Sequence, residues 1–253
     1  MLRRVRQHPF LINIIGVSLR PLCLVLELAE RGALTEILVN PMPIHRIVLF
    51  RIAYQVADAL RFLHDLGVIY RDLKPENVLV WSLDEHADLH VKLIDFGTAN
   101  FATSTGLISC AGSCGNHAPE MLECANREEY TSQVDVYSYA ILLYQIVTRS
   151  VPFEEYDSEP KINAAVIAGE RPKWQEVPVS TFGLPTLTEL MLRCWSDSPT
   201  KRPTSSQIAE QVRHPAKQAV PSQQQSLRHA CLEPDFYDLR LTCDGHTGNR
   251  IFI

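Results

Sequence analysis

The stretch YRDLKPENVLVWSLDEHADLHVKLIDFG, Tyr70 to Gly97, sets Asp72, Lys74, Asn77 and Asp95 around two short apolar runs. VLVW and HVKLIDF have the apolar, β-branched content of short strands, and the polar insert SLDEHADL between them reads as a connection. The pattern predicts a hairpin whose two ends bring Asn77 and Asp95 together, although they are far apart in sequence.

The flanks of this hairpin are patterned too. Upstream, FLINIIGVSL and LCLVLELA, separated by Arg20 and Pro21, predict two strands joined by a turn, and Gly32 then breaks the pattern. From Ile44 to Leu66 the apolar residues Val48, Ile52, Val56, Ala59, Leu60 and Leu63 recur at spacings of three and four. Arg51, Gln55, Asp58 and Arg61 take the other face, which predicts an amphipathic helix stopped by Gly67. Downstream, Thr98 to Asn116 is a loop of small and hydroxyl residues, too long for an idle connection. Val134 to Val147 is apolar on nearly every side, with Asp135 as its single charge, and so predicts a helix buried all round. Leu184–Trp195 and Ser205–Val212 read as further helices, the second capped by Thr204. From Pro215 the composition becomes that of a linker, before a last segment that reads as two short strands around a Gly turn.

Composition narrows the classes of function. A chain of 253 residues, 46% of them apolar, buries a full core, and a net charge of -5 supplies no basic field for nucleic acid. The opening MLRRVRQHPFLINIIGVSLRP has a basic head and an apolar body. Asn13 interrupts that body and no small-residue cleavage site follows, so the stretch reads as a buried strand after an exposed turn rather than a secretory signal. YAILLYQIV is far short of the ~20 residues a bilayer span needs, so no transmembrane segment is expected. Seven scattered cysteines, an odd number, fit reduced thiols and a cytoplasmic location better than a disulfide framework.

Phosphoryl transfer from a nucleotide needs a carboxylate to orient the attacking hydroxyl, a cation to steady the moving phosphate, and oxygen ligands for magnesium. Asp72, Lys74 and the pair Asn77 with Asp95 are the residue types for these three tasks. YRDLKPEN, DFG and the APE of Ala118–Glu120, in that order, resemble the signature set of eukaryotic protein kinases. The resemblance implies an α+β protein-kinase-like fold, with a mainly helical large lobe and a partial β small lobe. In it Asp72 is the catalytic base, Lys74 the catalytic-loop lysine, and Asn77 and Asp95 the magnesium ligands, with ATP and Mg2+ as cofactors and proteins as substrates. Lysine at position 74 is similar to the serine/threonine kinases. Leu26 resembles the gatekeeper; Glu27, Leu28 and Ala29 resemble the hinge that meets adenine, with Leu79 as a further nucleotide-contacting residue. The resemblance also pairs Glu120 with Arg202, gives Asp135 the backbone N–H groups of the catalytic loop, and packs Tyr70, which replaces the usual histidine, against Phe96.

Tyr70, the insert before KLIDFG and LELAERGAL are together similar to the leucine-rich-repeat kinases of the Roco family. On that template residues 1–29 are a partial small lobe and hinge, 30–213 the large lobe, and 214–253 a linker leading into a β-propeller, with a GTPase domain as a further neighbour in a longer protein. The template's Gly-rich loop and strand lysine have no counterpart in the sequence, which reads as truncated in the small lobe, so weak activity of the chain alone is expected. A catalytically impaired kinase-like binding module is the alternative. Gly112, Ser113 and Cys114 replace the usual start of the substrate loop. Arg71 is placed to bind a phosphate on Thr103, Ser104, Thr105 or Ser109. Cys110, Cys114 and His117, and His86 with His90, have ligand chemistry, but no second cysteine pair accompanies them, which disfavours zinc.

Overall fold

Pairing of the first two strands follows their alternation. β1 (Ile14–Leu19) and β2 (Leu22–Leu26) run antiparallel, with Val17 opposite Leu24 and Leu19 opposite Leu22. The structure, a computed structural model, describes residues 8–40, 42–101, 115–123, 131–173 and 185–217. Leu11 and Ile12, just ahead of β1, are buried, as the reading of this region as a core strand requires. Ile15, Val17 and Leu19 are not: they are 65%, 57% and 80% exposed, and no residue of β1 or β2 is buried, so the expected buried strand is met by Leu11 and Ile12 and not by β1.

After α1 (Leu34–Val39), a helix too short for its periodicity to show in the sequence, comes the long α2 (Arg46–Asp65). Its apolar stripe is buried as the spacing dictates. Gly67 ends it in the left-handed conformation at φ +71°, with its N–H bonded to the His64 carbonyl at 2.9 Å. The polar stripe departs from expectation. Arg51 and Gln55 are 8% and 2% exposed, because the insert between the hairpin strands folds down onto them. Gln55 donates to the Asp88 carbonyl at 2.7 Å and accepts from the N–H groups of His90 and Val91, both at 2.9 Å, while Arg51 donates to the carbonyls of Glu85 and Ala87. Backbone groups that a long insert would otherwise leave unpaired are satisfied by helix side chains.

β3 (Val68–Ile69) pairs with β6 (Asn100–Phe101), and the predicted hairpin forms from β4 (Val78–Val80) and β5 (Val91–Leu93). Both hairpin strands are shorter than their apolar runs. Phe10–Ile12 runs alongside β5, with Ile12 N–H bonded to Leu93 O and Leu93 N–H to Phe10 O, each at 2.9 Å.

A short α3 (Pro119–Leu122) precedes α4 (Gln133–Thr148), in which all residues from Val134 to Tyr144 are buried, as its continuous apolar character requires. Each such Leu, Ile or Val contributes about 1.5–3 kcal/mol by leaving water. The Tyr139 hydroxyl ties α4 to α2 by donating to the Ala53 carbonyl at 2.9 Å. α5 (Glu159–Ile167), α6 (Pro185–Cys194) and α7 (Ser205–Lys217) complete the helical part, α6 packing on α4 and α7 on α2. Thr204 caps α7 reciprocally with Gln207: the Gln207 N–H donates to Thr204 Oγ1 at 3.2 Å, and the Thr204 N–H to Gln207 Oε1 at 2.8 Å. Pro215, read from the sequence as the start of a linker, lies in the last turn of α7. Burial of Ile208, Ala209 and Val212 anchors the helix, and a proline so near its end removes one backbone bond without breaking the packed stripe. The expected propeller strands lie outside the described residues.

Candidate active site

The segment from Tyr70 to Asn77 joins β3 to β4 and ends in a 3-10 turn, Pro75–Asn77, whose proline opens it with a fixed φ. Asp72 and Asn77 are 7% and 4% exposed. Asn77 Nδ2 donates to the Asp72 carbonyl at 2.8 Å and to Asp72 Oδ2 at 2.9 Å, and Lys74 Nζ lies 2.9 Å from the same carboxylate oxygen. Three of the four residues picked out in the opening stretch thus form one cluster.

The hairpin register brings the backbone just ahead of Asp95 to Asn77. Val78 faces Leu93, and the next tie carries the Ile94 N–H to the Asn77 carbonyl at 3.0 Å, so Asp95 emerges one residue beyond Asn77's partner. It is exposed and left-handed, at φ +55°, and its Oδ1 accepts the Gly97 N–H at 3.0 Å. The Tyr70 hydroxyl donates to the Ile94 carbonyl, and the Tyr70 ring meets Phe96 edge-on at 5.7 Å, the aromatic contact expected of this pair. Burial first, and then the fields of Asp72, Asp95 and Asp135, hold the Tyr70 phenol well above its ordinary range.

Asp135, 0% exposed at the start of α4, takes the Tyr70 N–H at 2.8 Å and the Arg71 N–H at 2.7 Å. These bonds account for a buried charge in an apolar helix. They also hold Arg71 at φ +72°, while its Nε donates to the Thr98 carbonyl at 2.5 Å. Sequence reading missed two partners of this network, His64 and Ser205, because a histidine at the end of an amphipathic helix gives no signal of its own.

The segment read as a hinge follows β2. The Glu27 N–H bonds to the Asn13 carbonyl at 3.2 Å. The Glu27 carboxylate accepts Asn13 N–H at 2.8 Å, Asn13 Nδ2 at 3.2 Å and Lys92 Nζ at 2.5 Å. Lys92 itself lies over the Trp81 ring at 5.0 Å. Leu28 is 81% exposed and Ala29 is buried. Leu79 bridges to Ala33, and the neighbouring Val80 N–H bonds to Gly32 O at 2.9 Å, so the chain leaving Ala29 is stitched onto β4.

The model of the protein kinase domain matches residues 1–215. The chain belongs to the protein kinase family. It is 33% identical to the leucine-rich repeat serine/threonine-protein kinase 1 of Mus musculus over 215 residues, 83% of this chain and 10% of that protein. It is 38% identical to the Caenorhabditis elegans protein of the same name over 216 residues, 80% of this chain and 9% of that one. With the mitogen-activated protein kinase kinase kinase 7 of Homo sapiens the identity is 32% over 235 residues, 90% of this chain and 36% of that protein. The chain thus spans about a tenth of the length of the leucine-rich repeat kinases it matches. The kinase-like α+β fold and the similarity to serine/threonine kinases of the leucine-rich-repeat type stand as read from the motifs.

Elsewhere in the kinase domain, Glu120 and Arg202 form a two-pronged ion pair at 2.6 and 2.9 Å. The Arg202 side chain is 0% exposed, also donates to the carbonyls of Ser196, Gln133 and Asp197, and stacks on Tyr137 at 5.2 Å. His86 and His90 do not converge: His86 is exposed beside Glu85, whereas His90 is 0% exposed, with Nδ1 against the Ser82 carbonyl. No group of three His, Cys, Asp or Glu residues suited to a metal occurs among the described residues. Cys110, Cys114, Gly112, Ser113 and the hydroxyls of Thr103, Ser104, Thr105 and Ser109 lie outside the described residues. No helix among the described residues is long and apolar enough to cross a membrane.

Proposed function

We propose that this kinase domain transfers the γ-phosphoryl group of ATP to serine or threonine hydroxyls of protein substrates. The observation that carries the reading is the Asp72–Asn77–Lys74 cluster, with Asp95 following Ile94, whose N–H is bonded to the Asn77 carbonyl. Asp72 orients the incoming hydroxyl and accepts its proton, and Lys74 steadies charge on the phosphoryl group in transit. The Asn77 amide nitrogen is engaged with Asp72, which turns its oxygen away from that carboxylate, and Asp95 presents an exposed carboxylate. Two hard oxygen donors of this kind suit magnesium, which when bound neutralises phosphate charge. Adenine is assigned to the backbone of Glu27, Leu28 and Ala29, with Leu79 beneath it.

By the same reading, residues 1–29 carry small-lobe strands and hinge, and 30–213 the large lobe. Residues 214–253 are then a linker leading into a β-propeller, with a GTPase domain as a further neighbour in a longer protein and the cytoplasm as the site of action. Arg71, whose Nε is bonded to the Thr98 carbonyl, is read as the receiver of a phosphorylated residue of the following loop.

The test is transfer of radiolabelled phosphate to a generic protein acceptor. It is run with the chain and with the chain joined to any in-frame upstream segment that supplies a Gly-rich loop and a strand lysine. Asp72→Asn and Asp95→Ala are each expected to lower transfer by at least a hundredfold. Equal transfer by wild type and Asp95→Ala would exclude this mechanism, and no transfer from any form would favour a binding module.

A further inference from the structure

A line of hydrogen bonds crosses the large lobe from the start of α7 to the catalytic loop. Ser205 Oγ lies 2.9 Å from His64 Nδ1, and His64 Nε2 lies 2.8 Å from Asp135 Oδ2. The Asp135 oxygens hold the N–H groups of Tyr70 and Arg71, and Asp72 follows directly. Ser205 is 5% exposed and Asp135 0%, and the His64 side chain is 9% exposed. The order Ser–His–Asp is that of a hydrolytic triad, but a serine so buried meets no substrate, and the aspartate is already committed to the loop backbone.

Both Asp135 oxygens accept backbone N–H groups, so His64 presents Nε2–H to Asp135 Oδ2. The bond at Nδ1 then forms in either of two ways: Ser205 O–H donates to an Nδ1 lone pair, or Nδ1–H donates to Ser205 Oγ, and in both Ser205 is the group that holds the ring. Ser205 is free of the usual task of a serine at a helix start, because Thr204 and Gln207 already cap α7. At the other end of the line, Arg71 sits at φ +72°, a conformation a bulky L-residue keeps only where its surroundings impose it.

We infer that Ser205 is a positioning residue for phosphoryl transfer: by fixing the His64 ring it fixes the Asp135 carboxylate, and through it the backbone that aims Asp72. The inference rests on the reading of Asp72 as the catalytic base.

The test measures native-state amide hydrogen exchange by NMR on the full chain carrying Ser205→Ala, Ser205→Thr or Thr204→Ala. Ser205→Ala is expected to speed exchange at the Tyr70 and Arg71 amides about tenfold relative to amides in the middle of α4. Ser205→Thr keeps the wild-type rates, and Thr204→Ala loosens α7 without changing the Tyr70 and Arg71 amides. Should Ser205→Ala not fold, Ser205→Cys, which keeps the volume and donates weakly, carries the same comparison. The inference is overturned if the Tyr70 and Arg71 amides exchange at unchanged relative rates, if all core amides rise together, or if Thr204→Ala has the same effect as Ser205→Ala. Phosphate transfer, measured alongside, is expected to show kcat lowered about tenfold with KM for ATP unchanged. Absence of transfer from the wild type would count against the kinase mechanism and leave the exchange result to decide the role of Ser205 as a brace.

Discussion

The hydroxyl of Tyr70 donates its hydrogen bond to the carbonyl of Ile94, the residue immediately before Asp95. A side chain at the start of the Tyr70–Asn77 segment thereby holds the backbone that presents the second candidate carboxylate. Tyr70→Phe keeps the edge-on contact with Phe96 but leaves the Ile94 carbonyl without this donor. The expected loss is about 1–3 kcal/mol in urea unfolding, the cost of a buried acceptor left unmade. A variant as stable as wild type would show that the hydroxyl contributes nothing.

Alkaline conditions should unfold the domain through its buried tyrosines and one cysteine. Burial pushes Tyr137 up to about 12 from an ordinary 10.0, and Cys194 up to about 12 from 9.0, and it holds Tyr70 and Tyr139 well above their usual range. Each group keeps its proton longer when folded, so its contribution is complete below the unfolded value and is lost as pH rises toward the folded one. Stability is expected to be flat with respect to these groups below about pH 9 and to fall progressively between about 9 and 12. Absorbance of ionised tyrosine, followed with circular dichroism, checks this: a phenolate signal from all eight tyrosines before any loss of structure would contradict it.

Glu120→Ala should be among the most damaging single changes in the helical part of the domain. It leaves the Arg202 guanidinium, 0% exposed, with carbonyl partners and no counter-charge. Breaking one partner of a buried pair costs about 3–5 kcal/mol. Glu120→Gln should cost less, because it still accepts from Arg202. Thermal unfolding of both variants and of Arg202→Met gives the comparison, and a Glu120→Ala change within about 0.5 kcal/mol of wild type would show the pair to be dispensable.

Lys92 and Glu27 link the segment read as a hinge to β5, two residues ahead of Ile94. Lys92→Met removes the ammonium while keeping much of the volume, and is expected to weaken Mg·ATP binding about tenfold by releasing the Glu27 backbone from its fixed place. Glu27→Gln should act in the same direction, and the double variant should be little worse than either, as for two members of one interaction. Isothermal titration at a temperature where all variants are folded provides the measurement; additive losses would argue for two separate roles.

Much of the candidate site is legible in the order of residues along the chain. Asn77 and Asp95 flank the hairpin, where strand alternation and a polar insert suffice to bring the ends together, and Asp72 and Lys74 stand a few residues ahead of it. The burial of α4 is legible for the same local reason, since a helix apolar all round has no face to give to water. β3 and β6 carry no such signal: two residues cannot display a period, and each exists because the other pairs with it. Nor does the polar stripe of α2 disclose that Arg51 and Gln55 are covered, because the segment that covers them is held by their own hydrogen bonds.

The sequence by itself determined the family, the hairpin with its catalytic residue types, and the helices whose apolar stripes or caps are written in consecutive residues. Tertiary structure alone decided which distant groups support those residues: His64 and Ser205 behind Asp135, Lys92 behind Glu27, the carbonyl of Ile94 beneath Tyr70. The physical reason is that periodicity and capping act between near neighbours, whereas a buried polar group takes whichever partner the packed core places beside it, and that partner's position in the chain leaves no local trace.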